Sequence, residues 1–136
     1  MKSIIVPAEV QQLDAVQDFV AAALAGHKCR ADVRFGIEVA VEELFVNIAS
    51  YAYPDGAGDV CVSCEVAGEP ECLTVIFADG GIPFDPLARD TADTSPDALM
   101  DRVGGLGILM AKKYSDGMAY RYEDGRNILT FTKLVG

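Results

Sequence analysis

The stretch Leu73-Thr74-Val75-Ile76-Phe77-Ala78-Asp79-Gly80-Gly81-Ile82-Pro83-Phe84-Asp85-Pro86 decides how this chain reads. Its first six residues form an apolar run of strand character. Asp79 then presents one carboxylate, and Gly80-Gly81 follow with a main chain stripped of side chains. A carboxylate so placed can accept a hydrogen bond from an exocyclic amine such as adenine N6, and Gly81 lets a flat base approach the backbone. Taken alone, Asp-Gly-Gly-Ile-Pro is also ordinary turn chemistry.

Upstream, residues 30–53 carry a helical period that ends before Pro54-Asp55-Gly56. At ~100° per residue, Ile37, Val41, Leu44 and Ile48 share a sector fit to lie on a sheet, while Glu38 and Glu42 share a wet one. Glu43 and Asn47 fall in a third sector with Gly36, Ala40 and Ser50. One turn apart, this carboxylate and carboxamide point the same way, and their small neighbours are expected to let a ligand approach. The amide oxygen suits a hard cation such as Mg²⁺, and the carboxylate suits orienting or deprotonating a nucleophile. In isolation the pair is also compatible with a solvated polar stripe. Downstream, Gly104-Gly105-Leu106-Gly107 is expected to precede a helix over 106–114, where N–H groups and the positive dipole end can wrap phosphates. It is neither the P-loop, which ends in Gly-Lys-Ser/Thr, nor the dinucleotide fingerprint, whose third glycine is missing.

The remaining pattern predicts a strand at 3–7 and a helix over 9–25, with Val10, Leu13, Val16 or Gln17, Val20 and Leu24 on its apolar period and Gly26 as its stop. Strands are expected at 59–67 and 72–78 around Gly68-Glu69-Pro70, and at 118–123 and 127–134 around Asp124-Gly125. Residues 85–105 lose periodicity, at a length common for either a functional lid or a disordered segment. The order β-α-α-β-β-lid-α-β-β implies an α/β (α+β) two-layer sandwich, with helices on one face of a mostly antiparallel mixed sheet.

Composition narrows the classes. The 136 residues read as one domain, 1–136, with 51% hydrophobic and 24% charged residues, ordinary for a globular chain. No apolar stretch reaches the ~18–20 residues of a membrane span, and no secretory pattern opens the sequence. A cytoplasmic protein with no membrane partner is expected. The net charge of −10 argues against direct nucleic-acid binding, but a nucleotide can be met by backbone N–H groups instead of lysines. Cys61 and Cys64 spell C-x-x-C, yet on a strand they face opposite sides, so reduced structural thiols are expected there and at Cys29 and Cys72.

With three boxes in this order, the chain resembles the GHKL ATPase superfamily, and within it the anti-sigma-factor serine kinase branch. Glu43-Leu-Phe-Val-Asn47 is similar to the N box, Asp79-Gly-Gly-Ile-Pro-Phe-Asp-Pro86 to the G1 box, and Gly104-Gly-Leu-Gly-Ile108 to the G2 box. The closing stretch 120–133 is similar to this branch's last hairpin. The resemblance implies a Bergerat fold that binds ATP with Mg²⁺ under a lid. It implies that Asn47 holds Mg²⁺, Glu43 is the catalytic carboxylate, and Asp79 reads the adenine amine above Gly81 and Ile82. Gly105 and Gly107 would line the phosphates, Gly104, Leu106 and Ile108 would also belong to the nucleotide site, and Arg102 would reach the γ-phosphate. Thr130 would support Asp79 through a water. It further implies phosphoryl transfer to a serine or threonine of an anti-anti-sigma (STAS) protein, sequestration of a sigma factor, and a homodimer. The alternative is a switch module that binds ATP without significant transfer. His27 has no neighbouring phosphoacceptor motif and reads as a surface or capping residue.

Overall fold

A computed structural model describes residues 1–88 and 105–136. The elements are β1 (Lys2–Pro7), α1 (Leu13–Leu24), α2 (Ala31–Tyr51), β2 (Asp59–Ala67), β3 (Cys72–Asp79), α3 (Gly105–Tyr114), β4 (Gly117–Glu123) and β5 (Arg126–Leu134). Single 3-10 turns precede α1 at Val10–Gln12 and follow β3 at Pro86–Ala88. The expected order of elements is therefore observed. Arg102, Gly104 and most of the expected lid lie outside the described residues.

The strands form one sheet in the order β1-β2-β3-β5-β4. Every ladder is antiparallel, which corrects the expectation of a mixed sheet. Two helices separate β1 from β2, which pairs antiparallel to it. The crossover through α3 leaves β4 running in the same direction as β3, but β5 inserts between them. Like-directed strands are never neighbours in this sheet.

Alternation sets the layers. Leu73, Val75, Phe77 and Asp79 are buried on one face of β3, while Thr74, Ile76 and Ala78 stay half-exposed on the other. The buried face meets Val16, Val20 and Leu24 of α1 and Ile37, Val41, Leu44 and Ile48 of α2 in one core. Val10, expected on the apolar period of the helix, is 51% exposed because it lies in the 3-10 turn ahead of the helix. Cys61 and Cys64 face opposite sides as expected, and all four thiols are free. Burial pushes the Cys64 thiol pKa up, which keeps it protonated and unreactive. His27 closes the end of α1 through its backbone N–H to Leu24 O at 3.1 Å, and its ring pairs with Glu71.

Helix α2 is held from two sides. Its sheet-facing sector packs as expected, and Glu38 and Glu42 are exposed. The small-residue stripe serves a different purpose from the one expected. A Cβ on Gly36 would sit 2.6 Å from Tyr114 Cδ1, so the missing side chain makes room for the end of α3. Tyr114 also meets Phe35 edge-on at 6.4 Å between ring centroids, and Ala40 is fully buried.

Gly36→Val should overpack this crossing and cost about 1–3 kcal/mol, a fall of roughly 3–10 °C in melting temperature. A thermal melt checks it; an unchanged midpoint would mean that α2 and α3 are not in contact there.

Candidate functional site

The site begins with a parity argument. Because Leu73, Val75 and Phe77 face the core, Asp79 at the end of the same row must face it too. Its carboxylate is therefore 3% exposed, and a buried carboxylate must be hydrogen-bonded to be tolerated. Two donors reach Oδ1, the Gly81 backbone N–H at 2.9 Å and Asn127 Nδ2 at 2.9 Å. Oδ2 has no protein donor among the described residues.

Asn127 is the member that sequence reasoning missed. The Asp124-Gly125 turn has positive φ at both residues, 54° and 77°, as a two-residue hairpin demands. That turn sets Glu123 opposite Arg126, and the β3–β5 ladder sets Asn127 opposite Asp79. Asn127 is 6% exposed, and its carboxamide joins four groups. Nδ2 donates to Asp79 and to Ile82 O at 2.8 Å; Oδ1 accepts from Phe84 N–H at 3.1 Å and from the Tyr120 hydroxyl at 2.5 Å. Burial, assisted by the charges of Asp85 and Asp79, pushes the Tyr120 phenol pKa up, so its hydroxyl remains a donor. The available signal was an asparagine in phase with the inward Leu129 and Phe131.

Thr130 does not join this group. It pairs with Ile76, on the sheet face away from the helices, whereas Asp79 faces the helices. An odd offset from Asn127 puts its hydroxyl on the wrong side, so the expected support of Asp79 passes to Asn127.

The loop after β3 is pressed onto the end of α2. Ile82 N–H donates to Ala52 O at 2.9 Å. A Cβ on Gly81 would fall 2.2 Å from that same oxygen, so the helix end by itself requires glycine there. Tyr53 adds a second tie, accepting from Gly80 N–H at 2.8 Å and donating to Asp59 O at 2.7 Å. Asp85 Oδ1 accepts from Leu87 N–H at 2.8 Å and turns the chain at the start of the 3-10 segment.

This docking brings Asn47 and Asp79 to one cavity, whose wall also includes Tyr51, Ile82, Phe84, Pro86, Tyr120, Asn127 and Leu129. Asn47 is 8% exposed, yet its amide has no hydrogen-bond partner among the described residues. No buried side-chain nitrogen or oxygen there is sealed without a partner, so the Asn47 amide and Asp79 Oδ2 both reach open space. The cavity measures ≈ 30 Å³, about what one water requires. Larger clefts of about 390 Å³ between α1 and α2 and 560 Å³ beside β1 include none of Glu43, Asn47 or Asp79. The smaller cavity is the chemically distinctive one, because it gathers a buried carboxylate and a buried amide that has no hydrogen-bond partner among the described residues.

Glu43 lies one turn before Asn47 on α2, outside this cavity, and is half-buried. Loss of solvent raises its pKa above the ordinary 4.5, and the neighbouring Glu42 charge raises it further. Gly105 and Gly107 lie in the first turn of α3 instead of ahead of it, and Leu106 lies between them. The Ile108 side chain is 3% exposed and belongs to the core. Among the described residues no cluster of three or more His, Cys, Asp or Glu side chains is placed to hold a metal ion.

A raised carboxylate pKa favours the protonated form in the folded state. Its stability contribution is full below about pH 4.5 and is lost as pH rises through the folded value. Glu43→Gln, neutral throughout, should therefore melt higher than the parent at pH 7.5 and equally at pH 4. Parallel melts at the two pH values test this, and an equal shift at both would contradict the desolvation of Glu43.

The histidine kinase-like ATPase domain family matches residues 6–133. Proteins named serine-protein kinase RsbW from Listeria monocytogenes serovar 1/2a and serotype 4a are each 27% identical over 135 residues, covering 91% of this chain and 85% of the relative. The solved structure of Acinetobacter baumannii histidine kinase AdeS aligns with a TM-score of 0.49 and 12% identity, over 100% of this chain and 70% of that one. No helix among the described residues is long and apolar enough to cross a membrane. The family match spans nearly every element described above, from the end of β1 to the last residues of β5, and the chain belongs to the histidine kinase-like ATPase domain family.

Proposed function

We propose that this protein binds ATP with Mg²⁺ between α2 and the loop after β3, and transfers the γ-phosphoryl group to a serine or threonine hydroxyl of a STAS-type anti-anti-sigma protein. In its other role it sequesters a sigma factor. The observation that carries the nucleotide reading is the buried Asn47 carboxamide, without a hydrogen-bond partner among the described residues, sharing a cavity with Asp79. The kinase and its partners rest on the RsbW relatives and on the presence of Glu43.

The residues line up in a usable order. Asp79 and the Gly81–Ile82 backbone lie at the C-terminal end of α2, Asn47 stands about 7–8 Å back along the axis from Ala52, and Glu43 about 6 Å beyond that. A base at Asp79 would direct its phosphates past Asn47 toward Glu43. A single neutral oxygen ligand without a carboxylate cluster fits Mg²⁺ shared with phosphate oxygens and water, and misfits an all-protein metal cage. When bound, the cation neutralises phosphate charge. Gly105 and Gly107, with the other backbone N–H groups of the first turn of α3, would meet the phosphates without lysines. The side chains of Ile82, Phe84 and Pro86 would move outward to admit the base, since the cavity is water-sized, while the backbone at Ile82 and Phe84 keeps its bonds to Asn127.

In the transfer itself, the acceptor hydroxyl oxygen forms a bond to the γ-phosphorus while the bond to the β–γ bridging oxygen breaks and ADP departs. The hydroxyl proton passes to Glu43, whose raised pKa makes it a better acceptor than an exposed glutamate.

Saturating ATP·Mg²⁺ should raise the melting temperature by several degrees, about 2.7 kcal/mol at a hundredfold excess over Kd, and Asp79→Asn should remove most of that rise. Absence of any shift at millimolar ATP would defeat the nucleotide reading. Glu43→Ala should keep the shift while lowering radiolabel transfer to a STAS protein at least ~100-fold. Transfer at the parental rate would leave Glu43 without its role.

A further inference from the structure

Resting on the nucleotide reading above, we infer that Asn127, tightened by Tyr120, is the positioning residue that makes this site select an amino-bearing purine over a keto-bearing one. The carboxamide cannot flip. Its Oδ1 accepts from the Phe84 N–H, which can only donate, and from the Tyr120 hydroxyl, while its Nδ2 faces two acceptors, the Asp79 carboxylate and Ile82 O. A flipped amide would set oxygen against the carboxylate and NH₂ against the N–H.

The locked amide in turn dictates what Asp79 can do. Nδ2 and the Gly81 N–H both donate to Oδ1, so a proton on that oxygen is excluded. Oδ2, which has no protein donor among the described residues, is the carboxylate oxygen left to accept from a group in the cavity. Adenine offers N6–H there, whereas hypoxanthine or guanine offers a carbonyl oxygen that a fixed acceptor repels. Because Asn127 also holds Ile82 and Phe84, the same side chain sets the wall against which the base would lie. Tyr120 pairs across the ladder with Leu129, two residues along β5 from Asn127, a diagonal reach available to a tyrosine.

The test compares Kd values of ADP and IDP by isothermal titration calorimetry in Mg²⁺, for the full chain and for N127D, N127A and Y120F, with folding verified by thermal melts. The parent should prefer ADP by about 10–100-fold. N127D keeps the shape but sets two carboxylates together, one of which must take a proton; placed on Asp79, that proton becomes a donor to the keto oxygen, and the preference should move toward IDP. N127A should bring the ratio to within about threefold of unity, and Y120F, which keeps the ring, should lower it severalfold. A residue with a purely structural role would weaken both nucleotides equally. Folded variants whose ADP:IDP ratio stays within twofold of the parent's overturn the inference, and Y120F decides it alone if neither Asn127 variant folds. A parent that binds both nucleotides equally overturns the inference but not the nucleotide reading, and a parent that binds neither overturns both.

Discussion

The cross-strand contact between Asp79 and Asn127 is the constraint on which the site depends. A strand that must bury Leu73, Val75 and Phe77 has no freedom over the parity of its last residue, so a carboxylate arrives at the rim of the core. Left unpaired, it would cost several kcal/mol. The partner comes from β5, 48 residues away in sequence, and the same amide seizes the backbone at Ile82 and Phe84. One interaction thus neutralises the cost of burial, fixes the path of the loop and leaves a single carboxylate oxygen open.

Helix α2 is the other half of the construction, and two close approaches hold it. At one end Gly36 admits the Tyr114 ring, and at the other Gly81 admits the Ala52 carbonyl. Between them the helix presents Glu43 and Asn47 on the side not used by the sheet. Neither close approach tolerates a methyl group without movement, so the spacing between Asp79 and Asn47 is set by packing and not by a flexible loop. Groups meant to bind a ligand with little reorganisation are best held on rigid elements of this kind.

The charge of the chain fits this arrangement. A protein with net charge −10 repels phosphates at long range, and the side chains gathered in the cavity add no cation. On the proposed nucleotide reading, attraction would come from local dipoles and a shared metal ion, which act over a few ångströms and are screened little inside a pocket. Recognition then depends on the base, through Asp79 Oδ2, more than on general attraction to phosphate. The Asn127 network follows the same logic.

Most of the architecture was legible in the sequence, since element order, strand limits within a residue or so and the buried sector of α2 all follow from local periodicity. The three boxes were legible as well, because each is a contiguous motif with its own spacing. What the sequence could not supply was which residues of separated strands meet. Thr130 and Asn127 stand on the same strand, and only the ladder between β3 and β5 decides that the asparagine faces Asp79 while the threonine faces away. Likewise, Gly36 and Gly81 read as room for a ligand until the packing of α3 and of the end of α2 accounts for both. Periodicity tells a residue which side of its own element it occupies; the tertiary fold alone decides what stands on that side, because register and close packing are properties of two elements at once.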